Sequence, residues 1–394
     1  MKPANSQPLL LAGAVFPTYP HPADALLIVD GKIRAVGRYR DLELPVNTVT
    51  EDLSGLTVLP GLGDAHVHFA ATGFLQSAID CRGIRTVAAL VERVAVEARR
   101  KAPGELILGL RLEHLEFPSK RVPTLAELEG AAPNNPVYLR HITGHSSVTS
   151  RSALAYLDFQ SGQPGVEVDE NSEPTGYLIA QATQAATQTM YALNAQQVGY
   201  ANAFRAAAQK AAEQGCTVVH ALDDLGAVEE LLKLEPDLSV RVLPYTQTFE
   251  VERVQALGLP RIGGCHGCAL DGDFDMHTAA LTTSYRGCPD DFGMLYHNDL
   301  SLQGFVLDAH RRGLQLAFHA VGDRAVEQAL RAFERAQADY PRADPRHRIE
   351  HAQLMSAAQM ARAQAAGVLL SVQPAFNHVW DHHTYDEWVG ERSR

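Results

Sequence analysis

From about residue 200 onward, short apolar runs alternate with longer stretches in which apolar residues recur every three or four positions. The short apolar runs predict strands at 216–221, 239–245, 314–319 and 368–372, and the segment 346–351, which follows a predicted helix, predicts another. Strands that are apolar along their whole length are typical of a parallel sheet with helices on both faces. The alternation therefore predicts an eight-stranded α/β barrel or a doubly wound sheet.

The segments around these strands predict helices with recognisable ends. We expect Asn194 to cap a helix that ends before Gly215, and Ser356 to cap a later one. Further helices are predicted over 301–312 and 322–338. No Gly-x-Gly-x-x-Gly motif follows an early strand, which counts against dinucleotide binding.

The first part of the chain has a different pattern. In residues 1–60, β-prone runs at 25–29 and 32–36 flank Asp30-Gly31, a dipeptide that favours a tight hairpin turn. This pattern predicts a small all-β segment.

Residues 75–190 are less regular than the rest of the chain. They predict one clear helix, over 86–102, and strands at 106–110 and 137–141. We interpret this region as an insertion carried on the barrel.

Composition and charge exclude several classes of protein. The 394 residues have a formal net charge of −12 and a pI of about 5.8, so the acidic surface makes a nucleic-acid partner unexpected. No apolar run reaches the roughly 18 residues of a membrane span. Five cysteines, an odd number in a long chain, argue against a disulfide framework. We expect a soluble cytoplasmic protein.

The histidines point to chemistry. His66 and His68 are two residues apart near the end of a β-prone segment, so both imidazoles can face the same point. Imidazole is a good ligand for zinc and similar ions, although such pairs also occur on exposed strands. His319 and His351 each close a predicted strand, and in a parallel barrel these strand ends converge on one pocket. The four histidines together predict a metal site.

Seven segments in fixed order give the chain a clear family resemblance. They are PGLGDAHVHF (60–69), TGHSSVTSRSAL (143–154), EPTGYL (173–178), LDGDFDMHTAAL (270–281), LAFHAVGDRA (316–325), RIEHAQL (348–354) and SVQPAF (371–376). With these segments the chain resembles the amidohydrolase superfamily, in the branch that contains the N-substituted formamide deformylases.

The resemblance implies a fold and a metal site. The fold would be a (β/α)8 barrel over 61–394, with the insertion at 75–190. Residues 1–60 would form the N-terminal part of a small composite β-sandwich. His66 and His68 would be first-strand metal ligands, and His319 and His351 the ligands of strands five and six. The implied cofactor is a divalent ion, which we expect to be zinc, and the number of ions, one or two, stays open.

The implied reaction is hydrolysis of a non-peptide carbon–nitrogen bond, an amide or N-acyl group of a small molecule, by a metal-activated water. His145 and Asp323 are candidates for substrate contact or for orienting the ligands, but each has loop or helix capping as an alternative. Phe292, Tyr285 and Trp380 suggest an apolar or aromatic substrate group, or else simple packing.

The segment that corresponds to strand four departs from the family pattern. Many relatives have there a lysine that bridges two metals, whereas 262–271 contains no lysine. Cys265, His266 or Cys268 could replace it, since thiolate and imidazole both bind zinc. A buried free thiol is the alternative for the cysteines. We expect a mononuclear site.

The family's strand eight carries a catalytic aspartate, which would lie beyond Arg394. The expected barrel therefore lacks its last strand in this chain, and no catalytic residue can be named. We interpret the sequence as a fragment or a truncated product. The alternatives to an active amidohydrolase are an inactive paralogue with a binding or regulatory role, and a deaminase or esterase on the same scaffold. A homo-oligomer is possible.

Overall fold

The computed structural model describes residues 7–17, 20–159, 162–376 and 382–393. The chain divides into two units, Met1–Gly63 with Gly215–Val218, and Asp64–Gln214 with Val219–Arg394. Among the described residues, no helix has both the length and the apolar character that crossing a membrane requires.

The smaller unit contains a four-stranded sheet in the order β3-β2-β1-β4. Its strands are β1 Leu9–Ala12, β2 Ala25–Val29, β3 Lys32–Gly37 and β4 Val49–Asp52. Strands β2 and β3 form the predicted hairpin, and Asp30 and Gly31 both have positive φ, at 52° and 70°. The β-sandwich itself stays a prediction.

The remaining strands form two further sheets. They are β5 Leu62–Val67, β6 Ile79–Asp80, β7 Ile107–Leu112, β8 Val137–His141, β9 Ser146–Thr149, β10 Val166–Val168, β11 Pro174–Ile179, β12 Cys216–Asp224, β13 Arg241–Gln247, β14 Arg261–Gly264, β15 Gln315–Ala320, β16 Arg348–His351 and β17 Leu369–Ser371. One sheet has the order β10-β11-β9-β8-β7-β6, and the other has the order β17-β16-β15-β14-β13-β12-β5.

The seven-stranded sheet is a nearly closed parallel barrel. Its strands follow one another in chain order, as the barrel interpretation requires, whereas a doubly wound sheet would reverse its order at a switch point. The doubly wound alternative is therefore wrong. In the register of β15 and β16, His319 pairs with Glu350 and Ala320 with His351, so the two predicted ligand positions lie at adjacent strand ends.

Helices lie between the strands along the chain, both on the barrel and in the insertion. They are α1 Phe69–Phe74, α2 Val87–Ala98, α3 Leu125–Ala131, α4 Arg151–Leu154, α5 Ala180–Val198, α6 Tyr200–Glu213, α7 Leu225–Leu234, α8 Val251–Ala256, α9 Asp299–Arg311, α10 Asp323–Asp339, α11 Ala357–Ala365 and α12 His382–Val389. The prediction that Asn194 caps a helix is wrong, because Asn194 is buried within α5 and the break comes at Gly199, whose φ is 80°.

The insertion is more ordered than its sequence pattern suggested. Strands β6 to β11 span residues 79–179 and form a six-stranded mixed sheet. Some of these strands are only two or three residues long, which is too short for a period to be visible in the sequence.

Strand β15 shows how the barrel core positions chemistry. Leu316 and Phe318 belong to the apolar cluster beneath helices α9 and α10. Ala317, on the other face of the strand, packs in a cluster with Cys265. His319 shares this face by alternation, so its imidazole points into the barrel.

Candidate metal centre and substrate cavity

Three side chains from three barrel strands converge on one point. The ligand atoms of His66, Cys265 and His351 all lie within 4.8 Å of one another. The Cys265 Sγ is 3.6 Å from the Nε2 of His66 and 3.5 Å from the Nε2 of His351. Two imidazole nitrogens and one sulfur in this arrangement match the ligand preference of zinc. Of the three strand-four alternatives, the structure brings Cys265 into this group.

Both imidazoles present the correct nitrogen to this point. The Nδ1 of His66 donates to Oε2 of Glu350 at 2.8 Å, and the Nδ1 of His351 donates to Oε1 of Gln373 at 2.6 Å. Each Nε2 therefore keeps its lone pair, directed toward Cys265. His351 also has a φ of 71°, a strained conformation for a non-glycine residue and one that is typical of functional sites.

A buried arginine holds Glu350 in place. Arg348 donates from Nε to Oε1 of Glu350 at 2.7 Å and from a terminal nitrogen to the carbonyl oxygen of Ala65 at 2.8 Å. Its guanidinium lies 4.4 Å from the ring centre of Tyr245. Hydrogen bonding from His66 and the charge of Arg348 outweigh burial and lower the pKa of Glu350.

His68 lies beside this group rather than in it. Its ring centre is 5.3 Å from that of His66, and its Nδ1 donates to the carbonyl oxygen of Leu222 at 3.3 Å. His266 stacks on His68 at 4.3 Å and accepts a hydrogen bond from Arg140. The Nε2 of His68 thus remains available as a ligand atom.

His319 also lies next to His351, at a ring-centre distance of 4.6 Å. Its Nε2 donates to the carbonyl oxygen of Gly272 at 3.0 Å. The preceding residue, Asp271, is fully buried and accepts hydrogen bonds from the backbone nitrogens of Ala280, Val321 and Gly322. These bonds fix the loop that carries Gly272 to the end of β15.

Three buried imidazoles in this region, those of His68, His319 and His351, are neutral near pH 7. Burial is the main cause that lowers the pKa of His68, His319 and His351, for His351 to about 3. Burial and the negative charge of Glu350 raise the pKa of the Cys265 thiol. A cation bound between these side chains would favour the thiolate over the thiol.

A cavity opens beside His319 and His351. It encloses about 390 Å³ of empty space, including the part open to solvent. Its lining consists of Thr143, His145, Asp273, Phe274, Asp275, His319, Val321, His351, Gln353, Phe376 and Trp388. His145 is thus placed next to the candidate metal ligands, with its ring centre 4.7 Å from that of His319.

Other predicted positions have different surroundings. Asp323 is the first residue of α10. Its carboxylate accepts hydrogen bonds from the backbone nitrogen of Thr282, at 2.9 Å, and from the Thr282 hydroxyl. Asp323 is absent from the described lining of the cavity. Tyr285 is buried in packing, and its hydroxyl donates to Ala279. Phe292 is 40% exposed. Trp380 lies outside the described residues.

Glu350 and Asp271 are functional neighbours that sequence reasoning missed. Both are charged residues that are fully buried, and such residues are rarely buried without a partner. The signal was present in β16, where Arg348 and Glu350 are two residues apart and so share a face. Their joint burial, however, depends on the barrel interior and not on the local pattern.

Comparison with known proteins gives consistent matches. A model of the amidohydrolase family matches residues 49–394. The chain is 27% identical to the protein LONG AFTER FAR-RED 3 of Arabidopsis thaliana, over 91% of this chain and 66% of that protein. It is 24% identical to an N-substituted formamide deformylase of Arthrobacter pascens, over 94% of this chain and 72% of that enzyme.

A solved structure shows the same fold. The chain matches a metal-dependent hydrolase of Pyrococcus horikoshii OT3 with a TM-score of 0.76 and 26% identity, over 98% of this chain and 78% of that one. Against the two curated relatives, the chain spans 66% and 72% of their lengths.

Proposed function

This chain belongs to the amidohydrolase family, and on that premise we propose that it is a metal-dependent hydrolase of a non-peptide carbon–nitrogen bond in a small molecule. The observation that carries the proposal is the convergence of His66, Cys265 and His351 on one point. The named activities of the deformylase and of the metal-dependent hydrolase among its relatives support it.

The ligand set suits a zinc ion. His66, Cys265 and His351 would hold it, and His68 and His319 lie close enough to complete the shell or to take part in a second site. When bound, the ion would polarise a carbonyl group and lower the pKa of a water molecule. Zinc, rather than another divalent ion, and the number of ions are parts of this proposal.

The protein's own residues prepare the site before any substrate arrives. The side chains of Glu350 and Gln373 accept hydrogen bonds from Nδ1 of His66 and of His351. The two imidazole rings are thereby fixed in orientation, and each Nε2 keeps a fixed direction. His145, neutral because burial lowers its pKa, lies where it can hydrogen-bond the scissile carbonyl. We assign no residue of this chain to the proton transfer from water.

Paired cysteine variants test the metal site. Cys265→Ser should lose most of the bound zinc, with about a 10–100-fold or greater fall in affinity. Cys268→Ser is the matched control, because the Cys268 thiol is equally buried but donates to the carbonyl oxygen of Thr248. Metal content by mass spectrometry gives the readout, and equal metal content in both variants would remove Cys265 from the site.

Substrate panels test the reaction. Matched amide, ester and amidine substrates, with chelated protein as the blank, should show metal-dependent amide hydrolysis. Turnover of the ester or amidine alone would favour an esterase or deaminase. Full metal loading without any turnover would favour a binding or regulatory role.

The cellular setting of this function is also a proposal. We propose a small-molecule substrate and a cytoplasmic location, and the oligomeric state is to be measured. The net charge of −12 supports the part of the proposal that excludes a nucleic-acid partner.

A further inference from the structure

One wall of the cavity beside His319 and His351 is acidic. Asp273 and Asp275 both line this cavity, and their carboxylates lie within 4.8 Å of each other and of a ring nitrogen of His141. Oδ2 of Asp273 is buried without a hydrogen-bond partner. Within the part of the chain that the structure describes, neither carboxylate forms an ion pair with a lysine or arginine.

No described lysine or arginine neutralises this charge. Burial, with smaller contributions from Asp273 and Glu116, raises the pKa of Asp275 to about 7. The neighbouring His141 is neutral, because burial lowers its pKa to about 4. Carboxylates crowded together without a protein cation either take up a proton or pair with a cation that a ligand supplies.

A second observation also points to a ligand in this cavity. His145 lines it, is only 4% exposed, and has an Nδ1 with no hydrogen-bond partner. A buried polar atom that the protein leaves unpaired is unfavourable unless a bound molecule pairs with it. Aromatic rings of Phe274, Phe376 and Trp388 complete the lining, and such rings attract organic cations.

We propose that Asp273 and Asp275 bind a positively charged nitrogen of the substrate, so that the enzyme acts on amides of small molecules that also carry a protonated amine. This inference rests on the proposed function, because it places the amide of the same molecule at His319 and His351. The aromatic lining and the size of the cavity favour an organic cation over a metal ion, which the His141 cluster could otherwise bind.

Three substrates that differ in one group test the inference. The first is a monoacylated alkanediamine, the second has a methyl group in place of the ammonium group, and the third has a carboxylate there. Each is made as the formyl and the acetyl amide. Zinc-loaded wild-type protein should show a kcat/KM for the ammonium substrate about tenfold or more above that for the methyl substrate, and lowest for the carboxylate.

Two aspartate variants locate the effect. Asp275→Asn should reduce the ammonium-to-methyl ratio of kcat/KM by about tenfold. Asp290→Asn is the control, since Asp290 is exposed in the same segment and should leave the ratio as in the wild type. A wild-type ratio near one, with turnover of the methyl substrate, would overturn this inference and leave the hydrolase proposal intact.

Binding measurements separate the two proposals if none of the amides is hydrolysed. Calorimetry with the free alkanediamine should then show binding to the wild type and loss of binding in Asp275→Asn, which supports the acidic wall although the reaction assignment fails. Equal affinity in both proteins would overturn the inference. A loss of one equivalent of metal in Asp275→Asn, with the affinity for the alkanediamine unchanged, would also overturn the inference, since the cation bound there would be a metal ion.

Discussion

Arg348 and Glu350 place two opposite charges inside the barrel, next to a candidate metal ligand. Both side chains are almost fully buried, and they contact each other directly through two hydrogen-bonded pairs of atoms. A buried ion pair contributes little net stability compared with apolar residues, but its two halves depend on each other. Their value here is the fixed position of Glu350 against His66.

Arg348→Met should lower the free energy of unfolding by about 3–5 kcal/mol, because it leaves a buried carboxylate without its cation. The double variant Arg348→Met/Glu350→Gln should lose clearly less, since both charges are removed together. Urea unfolding followed by circular dichroism measures both. Equal losses would show that the two charges are not coupled.

His310 and His347 form a second buried pair, with a single consistent proton arrangement. The Leu316 backbone nitrogen donates to Nδ1 of His347, whose Nε2 then donates to Nδ1 of His310 at 2.8 Å. Nε2 of His310 donates in turn to the carbonyl oxygen of Tyr340. Each ring must be neutral to take both roles.

These hydrogen bonds through His347 and His310 predict that the protein loses stability in acid. Burial, with the nearby His310 and Arg342, lowers the pKa of His347 from 6.5 to about 3. The folded ring stays neutral while the unfolded one takes up a proton, so its stabilisation is complete above pH 6.5 and is lost as the pH falls toward 3. At pH 5 the loss is about 2 kcal/mol.

His347→Gln is the variant that tests this pH dependence, since an amide can accept from Leu316 and donate to His310 without titrating. Its unfolding free energy should fall less steeply than that of the wild type between pH 6.5 and 5. Identical slopes in the two proteins would contradict the assigned neutral ring.

At the level of single residues, the sequence identified the candidate metal ligands more readily than the structural surroundings that position them. His66, His68, His319 and His351 are recognisable from spacing and from their places at strand ends, and their roles as metal ligands stay a prediction. The choice of Cys265 over Cys268 could not be made from sequence, because it depends on the sharp backbone turn after Gly263 and Gly264, whose φ values are 95° and 128°.

Helices α1 and α6 meet at a glycine. A methyl group on Gly73 would lie 2.0 Å from the backbone oxygen of Ala203, which no side-chain adjustment can relieve. Helix propensity alone would make alanine the more stable residue there by about 1 kcal/mol. The close approach of the helices reverses that preference.

Gly73→Ala should therefore destabilise the protein by about 1–3 kcal/mol. Gly304→Ala is the matched control, because Gly304 lies in the middle of α9, is exposed, and has open space around its Cβ position. The control should be slightly stabilising, by about 0.5–1 kcal/mol. Thermal unfolding shows whether each variant is more or less stable than the wild type. A stabilising Gly73→Ala would contradict the packing argument.

Elements were predictable where caps and periods agree. Ser356 caps α11 as predicted, and Val137–His141 is the predicted strand. The error at Asn194 shows the opposite case, where a good capping residue is buried in the middle of a continuous helix. A helix start at Asn194 was acceptable on local sequence, and burial in the tertiary structure decided against it. Local sequence cannot show burial of that kind.

At the scale of the molecule, the described barrel sheet has β17 at one end of its strand order. The apolar residues here are unusually accessible: Leu369 is 44%, Leu370 39% and Val372 55% exposed. The strand itself was predictable, at 368–372, whereas the exposure of its side chains depends on what packs against it, and local sequence does not show that.

The architecture of the barrel could be predicted from the sequence more fully than the structure of the insertion. The alternation of strand-like and amphipathic helical segments predicts five strands of the barrel sheet, and the structure has them in the predicted order. The six-stranded sheet of the insertion was not predictable, because its pairing joins strands from 79 to 179 that share no local period.

Asp271 has a consequence for how such an enzyme could diversify. With three backbone bonds it attaches the start of the 272–281 loop to the residues that follow His319. Asp273 and Asp275 project from the stretch just after this anchor. On the proposed binding of substrate at Asp273 and Asp275, exchanging those few residues would alter substrate preference while the position of His319 is preserved, so that new specificities could evolve on an unchanged reaction centre.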